Sequence, residues 1–286
     1  MGLRPDHWKS LSTRPRASRG PKPSKAPSSL RLLVPIDFTR ESEEALDRAI
    51  AISESFGVTG IHAVHVRTPG RAEPTQEQLA VVRERLESRS HARPEWVVQS
   101  HEAPTVLEGI LAAAEAIDAQ LIIVGTRGGQ IMAAGIAERL IHRTERDVLV
   151  LSHASDLRWP GKPTRILVPV DFSANAQRAA RAARRWAGTN TVAMLHVVNQ
   201  GALNQTGAAS AGRMRSRVAD WAEGLADEVA AAEGDPSHVV ADEVASGEVG
   251  LVVIGASGAR DVGTKVRGGM PERLIQTARA PVLVVH

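Results

Sequence analysis

The chain has 286 residues, 43% of them hydrophobic, with 35 Lys and Arg against 32 Asp and Glu and no cysteine. That length suits about two domains of ~100–150 residues, and the missing cysteine excludes a disulfide framework, a zinc–thiolate site and thiol chemistry. The pI of 9.8 does not argue for nucleic-acid binding: without Tyr or Cys little titrates between His and Lys, so a net charge of +3 is enough to raise it. The excess is also local, because residues 1–30 carry seven basic side chains against Asp6 alone. No stretch approaches the ~20 apolar residues of a membrane span, and the basic N-terminus lacks the apolar core of a secretory signal. A cytoplasmic protein with no membrane partner and no specific nucleic-acid partner is expected.

Met1 to Ser29 is rich in Pro, Ser, Arg and Lys and cannot bury enough surface to fold alone. It reads as a disordered basic tail, with an arm for an anionic partner as the alternative. Leu30 to Ile36 is an almost unbroken apolar run, the mark of a strand buried on both faces. Asp37-Phe38-Thr39 follows. Thr39 suits the N-cap of the next helix, and Glu41, Glu43 and Glu44 its positive end. Ala45, Leu46, Ala49, Ile50 and Phe56 supply that helix's apolar face. A second strand is expected over Ile61 to Val66, a charged helix over Thr75 to Ser90, a third strand at Trp96 to Val98 and a third helix over Thr105 to Ile117. Ile122 to Val124 leads through Gly125-Thr126-Arg127-Gly128 into a helix containing Glu138 to Ile141, and Val148 to Val150 closes the series. With strand and helix alternating, right-handed crossovers give a parallel, doubly wound sheet.

Glu138-Arg139-Leu140-Ile141 recurs 134 residues later as Glu272-Arg273-Leu274-Ile275, and Asp37 recurs as Asp171 at the same spacing. A repeat that long means two copies of one domain rather than a solenoid. The fold class expected is α/β: two tandem doubly wound, Rossmann-like domains, each an open α/β sandwich, over residues 30–152 and 164–286. A linker over 153–163 contains Pro160-Gly161-Lys162-Pro163. In the second copy Arg165 to Val170 is the first strand, Asp171-Phe172-Ser173 its turn, Ala174 to about Trp186 a helix and Thr191 to Val198 the second strand. Asn199 to Ala211 reads as a polar loop and Met214 to about Leu225 as a helix. Glu228 to Glu233 is a weak third strand, and Gly234-Asp235-Pro236 opens a short helix to about Ala245. Val252 to Ile254, a helix over Glu272 to Ala278 stopped by Pro281, and Val282 to Val285 complete the copy.

In such a sheet ligands bind beyond the carboxyl ends of the strands, where the strand order reverses. Three features of the second copy reach that edge: Pro169-Val170-Asp171, Val197, and the loop running from Gly255 and Gly258 to Gly268-Gly269. A carboxylate there can accept hydrogen bonds from ribose hydroxyls or an adenine amine. Main-chain groups beside Val170 and Val197 can pair with a purine edge. Glycines let backbone N–H groups approach phosphate, and a helix starting after Gly269 adds its dipole. The plain alternatives are that Asp37 and Asp171 serve N–H groups at a helix entrance and that the glycines are turn residues. His62, His65 and His196 lie in or beside strands and suit packing or capping; His142 and His286 show no metal spacing.

Val34-Pro35-Ile36-Asp37-Phe38-Thr39 and Val168-Pro169-Val170-Asp171-Phe172-Ser173 resemble the opening motif of the universal stress protein family. Val64-His65-Val66 and Leu195-His196-Val197 resemble its second-strand motif, and the resemblance covers nearly all of residues 30–286. It implies a stress-response role and, in the nucleotide-binding branch of the family, a Gly-x2-Gly-x9-Gly-Ser/Thr loop. Gly255, Gly258 and Gly268 match that loop in type and spacing. Gly269 stands where the branch has a hydroxyl, and Pro271 removes one N–H from the helix's first turn. Each lost hydrogen bond to a charged oxygen costs about 1.5–3 kcal/mol. The first copy departs further, because only Gly129 to Ala133 separate Gly128 from Ala134, too short a loop to wrap a triphosphate. The first site is read as structural or vestigial. The second is read as a site for ATP or AMP, formed by Pro169, Val170, Asp171, Val197, Gly255, Gly258, Gly268 and Gly269.

The sequence shows no Ser–His–Asp arrangement, no metal cluster and no Gly-x4-Gly-Lys-Ser/Thr loop. The Ser-Gly-Gly-rich loop of nucleotidyl-transferring relatives of this α/β class is replaced by Pro-Val-Asp-Phe-Ser, and the acidic pair of a response-regulator receiver is missing. The expectation is a non-catalytic stress-response protein that holds an adenine nucleotide in its second domain. A weak nucleotide hydrolase and a nucleotide-free interaction scaffold are the alternatives. Val148 to Leu151 and Val282 to Val285 are apolar throughout, and edge strands of that kind invite pairing. The resemblance implies that these last strands meet across a pseudo-two-fold axis, so one chain would mimic a homodimer with Leu149 and Leu283 near the seam. Fully extended, Ser152 to Pro163 could reach about 40 Å at ~3.3 Å per residue. Further dimerisation is allowed but not required.

Overall fold

The computed structural model describes residues 30–71, 73–89, 95–126, 131–152, 159–162, 164–198, 211–256 and 269–286. The basic tail, most of the linker, the polar loop after Val198, residues 127–130 and residues 257–268 lie outside them. The chain divides into two compact units, the first ending at His153 and the second starting at Ala154.

In the first unit β1 (Leu30–Pro35), β2 (Val58–Arg67), β3 (Glu95–Glu102), β4 (Leu121–Thr126) and β5 (Asp147–Ser152) alternate with α1 (Arg40–Ser55), α2 (Gln76–Arg89), α3 (Val106–Ala116) and α4 (Ile131–Arg143). The strands lie in the order β3-β2-β1-β4-β5, each neighbouring pair parallel. The chain builds outward from β1 to β3, then returns to β4 and β5 on the other side, so the order reverses between β1 and β4. Leu32, Leu33 and Val34 are fully buried, as a run covered on both faces must be. Thr39 caps α1 by accepting the Ser42 N–H, and Ala45, Leu46, Ala49, Ile50 and Ile52 form the buried stripe. Phe56 falls outside that stripe as the C-cap. The charged helix α2 is held by Val82 and Leu86, four residues apart on one face and both buried.

The second unit repeats the plan with β6 (Arg165–Pro169), β7 (Thr191–Val198), β8 (Glu228–Glu233), β9 (Val249–Gly255) and β10 (Val282–Val285), and with α5 (Ala174–Arg185), α6 (Ala211–Trp221), α7 (Pro236–Ala245) and α8 (Met270–Thr277). Its strands lie in the order β8-β7-β6-β9-β10, again in parallel pairs. Ser173 caps α5, whose buried face is Ala176, Ala179, Ala180, Ala182 and Ala183. The strand β8 spans the expected residues although Glu-Val-Ala-Ala-Ala-Glu has little β propensity. Its ladder with β7, from Ala193↔Glu228 to Val198↔Glu233, and the burial of Val229 to Ala232 outweigh that. The helix α6 ends at Trp221, short of the expected Leu225; past it Gly224 takes φ +73° and turns the chain out. The helix α8 starts at Met270, two residues early, with Pro271 in the first turn where no N–H is needed. Within the stretch read as a linker, Trp159 is buried, 1% exposed. Its ring stands edge-on to Trp186 at 6.1 Å, and its Nε1–H donates to the Trp186 carbonyl at 3.3 Å. Among the described residues no helix is long and apolar enough to cross a membrane.

Candidate functional site

A cleft opens at each reversal of strand order, beside the carboxyl ends of β1 and β6. The second cleft, about 520 Å3, is lined by Pro169, Val170, Asp171, Val197 and Gly255, five of the eight residues read as a nucleotide site. Gly269 is the N-cap of α8. Gly258 and Gly268 lie outside the described residues.

The turn after β6 is built by three residues. Asp171 Oδ1 accepts the Ser173 N–H at 2.9 Å, so one carboxylate oxygen pins the entrance of α5, the plain role foreseen for it. Phe172 sits at φ +65°, a left-handed conformation costly for an aromatic residue. Its ring lies 4.8 Å from that of His196 and 5.9 Å from that of Trp221, which is edge-on, and the Arg217 guanidinium carbon is 4.5 Å from its centre. His196 Nδ1 lies 2.7 Å from the Val170 carbonyl oxygen. A carbonyl only accepts, so Nδ1 is the donor. The first unit has the same turn: Phe38 at φ +62°, and His65 Nδ1 donating to the Ile36 carbonyl at 2.8 Å.

Of the main-chain groups expected to read a purine, those of Val170 are engaged within the fold. Its N–H donates to the Leu195 carbonyl at 2.9 Å, and its carbonyl accepts from His196. Val197 differs. Leu195 turns its carbonyl toward β6, and Val198 turns its carbonyl toward β8 to accept the Gly234 N–H. By the alternation of a strand, the peptide groups of Val197 face the β6 side, past the end of that strand.

Gly255 has a packing reason of its own. A Cβ there would stand 2.5 Å from the Asn175 carbonyl oxygen, so the glycine lets the first turn of α5 cross against β9. Gly125 does the same for α1, where a Cβ would stand 2.1 Å from the Glu41 carbonyl oxygen. Both lie within strands rather than in turns.

The first cleft, about 400 Å3, is lined by Asp37, Glu41, His65 and Arg71 among others; Ile131 to Ala133, read as part of a short loop, belong to α4. Asp37 Oδ1 accepts from the Thr39 N–H at 3.1 Å and from its Oγ1–H at 2.5 Å. Glu41 holds the sequence position that Asn175 holds in the second unit, and Asn175 spends its Nδ2–H on the Ala256 carbonyl at 2.8 Å. Asp37 and Glu41 share this cleft with the guanidinium of Arg71.

Two polar residues of the second cleft were not picked out by sequence reasoning. Asp235 caps α7, Oδ1 accepting the N–H groups of Ser237 at 2.9 Å and His238 at 3.1 Å. Those bonds, the one from His238 foremost, hold its carboxyl below the usual carboxylate range. Arg273 Nη1 lies 3.8 Å from Asp235 Oδ2, and both line the cleft. The Arg273 signal was present in the repeated Glu-Arg-Leu-Ile, but no local pattern joins it to an aspartate in Gly-Asp-Pro. Among the described residues no three His, Cys, Asp or Glu side chains group to hold a metal ion.

These features define a class of protein: tandem doubly wound α/β domains, each opening a cleft behind an Asp-Phe-Ser/Thr turn at the reversal of strand order. The sequence profile of the universal stress protein family matches residues 29–152 and 163–286, and the chain belongs to that family. A comparison with curated proteins gives no match. Among solved structures, a universal stress protein from Archaeoglobus fulgidus DSM 4304 is 20% identical, aligned over 89% of this chain and 97% of its own, with a TM-score of 0.64. A functionally unknown protein from Pseudomonas aeruginosa PAO1 is 16% identical over 89% of this chain and 92% of its own, with a TM-score of 0.66. A universal stress protein family protein from Arabidopsis thaliana with AMP bound is 12% identical over 43% of this chain and 91% of its own. Its TM-score is 0.33, and the AMP is a feature of that protein.

Proposed function

We propose that the second unit binds an adenine nucleotide, ATP or AMP, and that the protein is a stress-response binding module rather than a catalyst. The observation that carries this reading is the convergence of Asp171 and Val197 on one cleft at the strand-order reversal. Asp171 commits Oδ1 to Ser173 and, being exposed, keeps a second oxygen for ribose hydroxyls. The peptide groups of Val197, past the end of β6, suit the edge of a purine. Gly269 and Pro271 leave the phosphate end short of a hydroxyl and an N–H, so affinity is modest. The first unit is read as structural or vestigial, because its sequence lacks the glycine spacing of the second.

Titration calorimetry of the full chain with ATP and AMP tests this reading. Asp171→Ala is expected to weaken binding about ten-fold or more, the loss of a hydrogen bond to a charged group being about 1.5–3 kcal/mol. Asp37→Ala is expected to leave affinity unchanged, and no phosphate should be released on prolonged incubation with ATP. Absence of heat with either nucleotide at millimolar concentration overturns the proposal.

A further inference from the structure

Among the described residues, the second cleft is lined by two carboxylates, Asp171 and Asp235, and by a single guanidinium, that of Arg273. A ligand carrying phosphate brings more negative charge into that setting, so where Arg273 points decides whether it is welcome. Arg273 faces Asp235 across 3.8 Å. A charge-assisted N–H···O contact settles at ~2.7–2.9 Å, so this pair is loose, and the Arg273 side chain is 56% exposed. Asp235 does not depend on it: its Oδ1 is held by the Ser237 and His238 N–H groups, and those bonds remain if the arginine leaves. Arg273 also lies in the first turn of α8. A cation there opposes the helix dipole unless an anion sits close by.

Resting on the nucleotide reading above, we infer that Arg273 is the phosphate-selecting residue of the second cleft, exchanging Asp235 for the phosphate groups of the bound nucleotide. Asp235 is then the resting partner that competes with phosphate and sets how much charge the cleft tolerates. The first cleft is arranged differently: the guanidinium lining it is that of Arg71, ahead of α2. Thr105 caps α3 where Asp235 caps α7, and Arg139, the repeat counterpart of Arg273, is not among the residues lining its cleft.

The test is calorimetry of the full chain with ATP, AMP and adenosine, comparing Arg273→Gln, Arg273→Lys and Asp235→Asn, with thermal melts to confirm folding. Arg273→Gln should weaken ATP about ten-fold and leave adenosine unchanged, and Arg273→Lys should recover part of the loss. Asp235→Asn keeps a good N-cap and should tighten ATP severalfold without affecting adenosine. If adenosine and ATP bind and respond equally to all three substitutions, the cleft binds nucleoside and the role of Arg273 is overturned while the adenine reading stands. If none of the three ligands binds the unmutated chain, both fall together.

Discussion

The two units share a backbone frame and disagree about charge. In each, an aspartate at the end of the first strand receives an N–H two residues on, the intervening phenylalanine is left-handed, a hydroxyl caps the next helix, and a histidine holds the carbonyl before the aspartate. The side chains around that frame are free to invert. The helix α1 carries five carboxylates and two arginines, whereas α5 carries four arginines and no acid. At the other ends of the strands, Asp118 sits between Arg31 at 2.6 Å and Arg146 at 2.8 Å. In the second unit Arg165, at the sequence position of Arg31, sits instead between Glu228 at 3.2 Å and Glu248 at 2.7 Å. The lesson is that the aspartate of the turn does not by itself mark a ligand site, because it does the same mechanical work in both units. What separates the clefts is the polar lining: Asp37, Glu41 and Arg71 in the first, Asp171, Asn175, Asp235 and Arg273 in the second.

The largest difference to break is the tryptophan anchor, which belongs to the second unit alone; Ile52 holds the sequence position of Trp186 in the first. Trp159→Ala should cost about 3–5 kcal/mol, the usual range for a buried aromatic. In a two-unit chain the loss should fall on one of two transitions in a denaturant titration followed by circular dichroism. A titration curve that does not move would mean that Trp159 is not packed in solution.

The strand glycines come next. Gly125→Ala and Gly255→Ala each force a methyl group against helix backbone, an overpacking cost of about 1–3 kcal/mol. The closer approach at Gly125, 2.1 Å against 2.5 Å, predicts the larger loss in the first unit. Equal losses, read from unfolding midpoints, would mean that α1 gives way more readily than α5.

These residues show what a sequence discloses. The fold was legible because apolar runs, turn residues and the 134-residue repeat all pointed the same way, and even the unpromising Glu228 to Glu233 could be placed by its position in the order. The turn was legible in Asp-Phe-Ser. Gly255 was read for phosphate and has a packing reason as well, because a glycine required by a crossing helix looks the same in sequence as one required by phosphate. Trp159 was hidden among linker residues, since its partner Trp186 lies 27 residues away and no periodicity links them. The pairing of Asp235 with Arg273 was invisible for the same reason.

A smaller effect distinguishes the ion clusters. The hydrogen bond from Arg146, helped by the charge of Arg31, lowers the Asp118 carboxyl below its ordinary pKa. A folded-state pKa below the unfolded one gives stability that is present above the unfolded value, about 3.9, and is lost as pH falls through the folded one. Asp118→Asn should therefore lower Tm at neutral pH, and the gap should close as the pH is taken below about 4. Added salt should narrow it as well, because the group is exposed. A gap that persists in acid would assign the loss to packing rather than to charge.

The smallest expected effect lies at Gly269, where the N-cap of α8 has no side-chain hydrogen bond while Thr39, Thr105, Ser173 and Asp235 cap their helices. Its φ of −62° and ψ of 176° are extended, a conformation that serine adopts without strain. Pro271 offers no N–H, so a new hydroxyl would have to accept from Glu272, which also stands at the spacing of a capping box. Replacing glycine by serine at an N-cap gains only a few tenths of a kcal/mol, so Gly269→Ser should raise Tm slightly in the absence of ligand. The same hydroxyl is the one whose absence was read as a loss of phosphate contact, and ATP affinity is expected to rise severalfold with it. The two readouts separate two explanations. A rise in Tm with unchanged ATP affinity would mean that the position serves the helix and not phosphate. The phosphate reading of the second cleft would then rest on Arg273 rather than on the cap of α8.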